Sequence, residues 1–71
     1  MKLIVERWTV ERDPITNEEV EVIQDSTEVR SIDEARELAE KYRTMQDTAR
    51  VTLHYCYHDE DPSKPCIREE I

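Results

Sequence analysis

The clearest pattern in the chain is a strict alternation of apolar and polar residues between positions 49 and 58. The two alternating sets are Ala49, Val51, Leu53, Tyr55 and Tyr57, and Arg50, Thr52, His54, Cys56 and His58. A period of two is typical of a half-buried β-strand, whose side chains point alternately to opposite faces. We predict a strand here, with the first set facing a helix and the second set lining the other face of its sheet.

A helical period precedes this strand. The apolar positions that repeat at helical spacing are Ile32, Ala35, Leu38, Ala39, Tyr42 and Met45, which form one stripe over about four turns. Ser31, followed three residues later by Glu34, is a capping box. We expect Ser31 to accept a hydrogen bond from the Glu34 amide and the Glu34 carboxylate to reach back to the cap. One amphipathic helix is therefore predicted after Ser31.

The first third of the chain predicts a β-hairpin. Lys2 to Arg12 is rich in β-branched and aromatic residues, as strands are. Residues 13–17 favour a turn, because Pro14 restricts its own φ and Asn17 tolerates a left-handed backbone conformation. Glu19 to about Asp25 then forms the predicted second strand, whose many acids suit an edge of the sheet.

The first strand has an irregular apolar pattern. In a regular pleat Leu3 and Val5 face one way, whereas Trp8 and Val10 face the other. A β-bulge near residues 6 and 7 would bring all four to one face. Alternatively, positions 4, 8 and 10 face inward and Glu6 shares their face.

The fold class that follows is α+β, a single domain spanning residues 1–71. The segment from Lys64 to Ile71 also alternates, with Cys66, Arg68 and Glu70 on one side, so it is either a short strand beside the previous one or a tail. We therefore predict a compact ββαβ(β) arrangement. Its three- or four-stranded, mostly antiparallel sheet has one helix packed on one face.

Charge narrows the classes of function. The chain carries 18 acidic and 10 basic residues, a formal net charge of −8. This balance argues against nucleic-acid binding, where neutralisation of phosphates dominates affinity. The same negative charge is compatible with another class of function, an acidic inhibitor that occupies the nucleic-acid site of a basic partner. Neither an export signal nor a membrane-spanning stretch is evident, so we expect a cytoplasmic protein that does not bind membranes.

Composition also argues against catalysis. The sequence contains no glycine, and phosphate-binding loops, nucleotide-binding fingerprints and nucleophile elbows all require it. A Cys56 nucleophile with His54 or His58 as its base is disfavoured, because neighbours two apart on a strand point in parallel. We therefore expect a protein that is not an enzyme and that needs no cofactor, unless it binds zinc.

The only concentration of potential metal ligands comprises His54, Cys56, His58 and Cys66, and zinc accepts such a mixture. Alternate residues of a strand lie about 6.6 Å apart, which places the two histidines roughly 13 Å apart along the backbone. We therefore do not expect His54, Cys56 and His58 to bind the same ion. The predicted set is Cys56, His58 and Cys66 with an acid, either Asp59 or Asp61.

Two alternatives compete with this metal site. Cys56 and Cys66 could instead form a disulfide, which requires an oxidising compartment. Otherwise the cysteines are free and the histidines are solvated residues of the strand.

The leading functional prediction is a small acidic module that binds another protein or a second copy of itself through the uncovered face of its sheet. The candidate contact residues are Trp8, Arg50, His54, Cys56 and His58. Large aromatic residues and arginine dominate binding energy at interfaces, so Trp8 is the leading candidate if it lies outside the core. The alternative for Trp8 is that it is the largest core side chain.

Overall fold

The chain folds as one open sheet with one helix on it, in a computed structural model that describes residues 1–58 and 60–71. The elements are β1 (Lys2–Arg12), β2 (Glu19–Val29), α1 (Ile32–Thr44), β3 (Thr48–Cys56) and β4 (Ile67–Glu70). Within the described residues the strand order is β2-β1-β3-β4, and every neighbouring pair is antiparallel. The predicted α+β class is confirmed, in its four-stranded form.

The β1–β2 hairpin closes through the turn residues that the sequence indicates. Asn17 has a φ of 63°, and the Asp13 carboxylate accepts a hydrogen bond from the Ile15 amide at 2.8 Å. The second strand continues beyond the predicted end near Asp25 to Val29. It can do so because its last residues pair with the beginning of β1.

The helix begins as the capping box predicts, with one difference. Ser31 Oγ accepts a hydrogen bond from the Glu34 amide at 3.1 Å. The Glu34 carboxylate instead accepts from the amide of Arg30, at 3.0 Å, one residue before the cap. No helix in the described residues is both long enough and apolar enough to cross a membrane.

The core lies between α1 and one face of the sheet. It consists of Leu3, Val5, Val29, Ala35, Ala39, Tyr42, Val51 and Leu53. Two alanines on the inner side of α1 leave room for the sheet residues to pack closely. The ends of the predicted stripe are exposed in part, Ile32 at 37% and the C-cap residue Met45 at 44%, so the helix contacts the sheet mainly through its centre.

The irregular pattern in β1 follows the second sequence alternative only in part: positions 4, 6 and 8 share one face, but that face points away from α1. Leu3 and Val5 face α1, whereas the indole of Trp8 bonds to Thr52 on the opposite face. A register shift does occur between Arg7 and Trp8, but the bulge lies on β2 rather than on β1. Arg7 pairs with Asp25 and Trp8 pairs with Ile23, so Gln24 of β2 has no partner in β1. Trp8 therefore stays outside the helix-side core, and its assignment as the largest core side chain is wrong.

A second register shift corrects the prediction at the start of β3. Trp8 pairs with Arg50 and Thr9 pairs with Thr48, which leaves Ala49 without a partner in β1. Ala49 is exposed rather than packed against the helix. The predicted alternation therefore holds from Arg50 to Cys56, where β3 ends two residues before the predicted end of the pattern.

The cap at Ser31 yields a first testable prediction. Ser31→Ala removes the acceptor for the Glu34 amide and is expected to lower the free energy of unfolding by about 1 kcal/mol. Urea denaturation followed by circular dichroism measures this change. Ser26→Ala, at an exposed position of β2, is the control and is expected to stay within about 0.5 kcal/mol of the wild type. Equal losses in the two variants would show that the cap is not responsible.

Candidate metal centre and the open face of the sheet

The face of the sheet that α1 does not cover, called here the open face, holds all the candidate site residues that lie on strands. Four cross-strand pairs define it, namely Ile4 with His54, Glu6 with Thr52, Trp8 with Arg50, and His54 with Arg68. Because side chains alternate along each strand, these residues point away from the core. The prediction that the polar set of β3 lines this face is confirmed from Arg50 to Cys56, whereas the last member of the predicted set, His58, lies beyond the end of the strand.

A buried carboxylate occupies the centre of the open face. Glu6 is only 3% exposed, and Arg68 donates two hydrogen bonds to it, from Nε at 2.7 Å and from Nη2 at 3.0 Å. Thr52 Oγ1 donates a third at 2.9 Å, and His54 Nδ1 lies 3.5 Å from Oε2. One side chain of β1 is thereby bonded to both β3 and β4.

These contacts determine the protonation of Glu6. Burial by itself raises the pKa of a carboxyl group, but the hydrogen bonds from Arg68 and Thr52 and the positive charge of Arg68 outweigh it. The pKa of Glu6 therefore lies below its ordinary value. The hydrogen bond to Glu6 likewise raises the pKa of Arg68. This ion pair is present at neutral pH.

Trp8 lies above the same network. Its Nε1 donates a hydrogen bond to Thr52 Oγ1 at 2.8 Å. The guanidinium carbons of Arg50 and Arg68 lie 4.4 and 5.4 Å from the centroid of its ring, within cation–π range. Arg50 also pairs with Glu21 of β2, at 2.7 Å. The centre of the open face is thus covered by its own side chains, while Trp8 keeps partial exposure.

At the β4 end of this face, two cysteines lie side by side. Tyr55 pairs with Ile67, so Cys56, the last residue of β3, and Cys66, which immediately precedes β4, face each other. Their sulfur atoms are 3.8 Å apart. Both thiols are free, so the disulfide considered from the sequence is not formed in this structure.

His58 completes the cluster. The amides of Glu60 and Asp61 both bond to the carbonyl of Tyr57, forming a turn directly after β3. His58 lies in this turn, with its Nδ1 3.4 Å from Cys56 Sγ and 3.1 Å from Cys66 Sγ. All three ligand atoms lie within 4.8 Å of one another.

These separations can be compared with those that a metal ion requires. Tetrahedral zinc bonds sulfur at about 2.3 Å and imidazole nitrogen at about 2.0–2.1 Å, so two bound sulfurs lie about 3.8 Å apart and a sulfur and a nitrogen about 3.5 Å apart. The distances within the Cys56, His58 and Cys66 cluster are 3.8, 3.4 and 3.1 Å. One ion could contact all three atoms after a small outward shift of the imidazole.

The two thiols differ in acidity. Hydrogen bonds from the backbone and the side chain of His58 lower the pKa of Cys56. Partial desolvation and the adjacent Cys56 raise the pKa of Cys66. Cys56 therefore ionises first, and the thiolate is the form that binds metals.

The remaining predicted ligands lie elsewhere. His54 is directed to Glu6, in agreement with the strand spacing that separated it from His58. The Asp61 carboxylate accepts hydrogen bonds from the amide and hydroxyl of Ser63, and it does not belong to the three-residue cluster. Asp59 lies outside the described residues.

The Glu6 network was missed at the sequence level, although one signal was present. Glu6 stands within the apolar stretch from Leu3 to Val10, and a charged residue there requires a partner if it is buried. The partner, Arg68, lies 62 residues further along the chain. Local patterns do not reveal such a pairing.

Comparison of the chain with protein-family models, with curated proteins and with solved structures finds no match in any of the three. We therefore infer function from the side chains alone.

The Glu6 ion pair predicts how stability responds to acid. Because folding lowers the pKa of Glu6, its ionised form contributes stability above the ordinary carboxyl pKa of about 4.3. That contribution is lost as the pH falls through the folded-state value. We expect Glu6→Gln to be less stable than the wild type at neutral pH, by about 1–3 kcal/mol. The difference should shrink in acid.

Urea denaturation over a pH series tests this expectation. Glu28→Gln, at an exposed position of β2, is the control and should retain the wild-type dependence on pH. A Glu6→Gln variant that loses the same stability at every pH would contradict the assigned role of the carboxylate charge.

Proposed function

We propose that the chain is a small zinc-binding module, in which Cys56, His58 and Cys66 hold the ion. The observation that carries the proposal is the set of three distances among their ligand atoms, which approach those of a tetrahedral zinc site. The donor types add support, because zinc combines readily with thiolate and imidazole.

The position of the cluster indicates what the ion would do. Its ligands come from the end of β3, the turn that follows, and the residue before β4. β4 has only four residues, all exposed, and a chain of this size has a small core. A metal that joins β3 to β4 would supply stability that packing alone does not. It would also help to hold Arg68 against Glu6.

The two cysteines must stay reduced to bind zinc, because a disulfide offers no thiolate, and this requirement indicates where the protein works. The cytoplasm keeps thiols reduced, so we propose it as the location of the protein.

Metal analysis tests the zinc site. Protein purified without a histidine tag is expected to hold one zinc per chain, as measured by plasma mass spectrometry after dialysis. Cys56→Ser, Cys66→Ser and His58→Asn each remove one ligand and should abolish stoichiometric binding. His54→Asn is the matched control, because it replaces a histidine of the same segment that lies outside the cluster, and it should retain zinc.

Chelation provides a second measurement. Since zinc stabilises the state that binds it, removal of the ion should lower the melting temperature of the wild type but not that of Cys66→Ser. A wild-type protein without zinc, whose melting is unaffected by both zinc and chelator, would refute the proposal.

A second candidate function is the docking of a protein on the open face. The observation in its favour is that Trp8 lies there opposite Ile23 of β2, which is 41% exposed. Arg50, stacked on Trp8, completes a group of the residue types that dominate binding energy. We propose a second copy of the chain as the partner to test first, since it would cover this face symmetrically. The hypothesis of an acidic inhibitor stays a prediction.

Sedimentation equilibrium over a concentration series tests this second candidate. The wild type should associate into dimers, and Ile23→Glu should weaken association because it places a charge in the proposed contact. Ile15→Glu makes the same replacement in the hairpin turn, at a residue that is 91% exposed, and should leave association unchanged. A monomeric wild type would exclude the second copy as the partner.

A further inference from the structure

The two cysteines of the cluster lie one residue beyond the last paired residues of β3 and β4. The β3–β4 register runs from Thr52 with Glu70 to Tyr55 with Ile67, and its continuation places Cys56 opposite Cys66. Directly opposite residues of antiparallel strands have their Cβ atoms about 4.5–5.5 Å apart, close to the separation that a disulfide bridges. Their sulfur atoms are 3.8 Å apart.

The pair is also open to a small reagent. Cys66 is exposed and Cys56 is partly exposed, so solvent reaches the sulfur atoms. His58 Nδ1 lies within hydrogen-bonding distance of both sulfurs. One imidazole can therefore exchange protons with either thiol. Other thiols do not compete, since the whole sequence contains only these two cysteines.

We propose that Cys56 and Cys66 are an oxidation site, at which a peroxide converts the two thiols into an intramolecular disulfide and so expels the zinc. The expulsion of metal rests on the proposed zinc-binding function, whereas the oxidation of the two thiols does not. The reagent class is a small hydroperoxide, with hydrogen peroxide as the simplest member.

The chemistry proceeds in two steps. The Cys56 thiolate attacks one peroxide oxygen, the O–O bond breaks, and the departing hydroxide takes a proton to form water, leaving a sulfenic acid. The Cys66 thiolate then attacks the sulfenic sulfur. The S–S bond forms, the S–O bond breaks, and a second hydroxide leaves and becomes water. In sum, two thiolates, one hydrogen peroxide and two protons yield one disulfide and two waters.

Oxidation removes two of the three metal ligands at once. A disulfide has no thiolate to offer, and His58 alone cannot retain the ion. The disulfide nevertheless joins the same two positions as the zinc, between the end of β3 and the start of β4. The two states therefore differ in metal content while both hold β4 in place.

Release of zinc and formation of the disulfide are measured together. Zinc-loaded protein is treated with one equivalent of hydrogen peroxide in the presence of a chromogenic zinc indicator, and the intact mass is recorded without reductant. We expect one zinc released for each chain that loses the mass of two hydrogen atoms. Dithiothreitol, followed by added zinc, should restore both the mass and the metal.

Three controls separate the proposal from its alternatives. Metal-free wild type should form the same disulfide. Metal-free Cys66→Ser should form no intramolecular disulfide, and its Cys56 sulfenic acid should be trapped by dimedone. His54→Asn should behave as the wild type, because His54 lies outside the cluster.

The possible failures are distinguishable. If the protein binds zinc but peroxide forms no internal disulfide, the oxidation site is refuted and the zinc-binding function stands. If the disulfide forms but the ion stays bound, the coupling of the two is refuted. If the metal-free protein forms the disulfide but never binds zinc, the zinc-binding function fails, and with it the release of metal.

Discussion

The buried carboxylate of Glu6 is the constraint on which the arrangement of the sheet depends. A charge that is almost fully removed from water is tolerated only when it is paired and hydrogen-bonded. Thr52 on β3 and Arg68 on β4 meet this requirement, and in doing so they hold the short last strand to the centre of the sheet. Because Cys66 immediately precedes that strand, the same ion pair also places it beside Cys56.

The two faces of the sheet are therefore stabilised by different means. On the helix side, aliphatic side chains of the sheet pack against Ala35, Ala39 and Tyr42, and the hydrophobic effect dominates. On the open face, Glu6 and Thr52 are buried beneath Trp8 and its arginine neighbours. Stability on that side depends on charge and hydrogen bonding, and hence on pH. The rim of that face includes His58 and Cys66, both of which are exposed.

Much of the candidate metal centre could be predicted from local pattern. The alternation along β3 and β4 places Cys56 and Cys66 on one face, and strand spacing separates His54 from His58. The sequence proposed His58 as a ligand, but the geometry of its close approach to both sulfurs could not be predicted in the same way. It depends on the turn at Tyr57 and on the register of β3 against β4. That register is set by hydrogen bonds between residues that are far apart in the chain. The Glu6–Arg68 pair was missed for the same reason.

The sequence by itself determined the first two strands, the helix and the third strand in their order, because helix caps, turn residues and the periods of two and 3.6 act over a few neighbouring residues. It left residues 64–71 as either a strand or a tail, and the structure shows β4 there. It also determined that the polar set of β3 lies away from the helix. Only the tertiary structure decided the side on which Trp8 lies, the pairing of Glu6 with Arg68 and the meeting of Cys56, His58 and Cys66. These features depend on strand register, in which a shift of one residue moves a side chain to the opposite face.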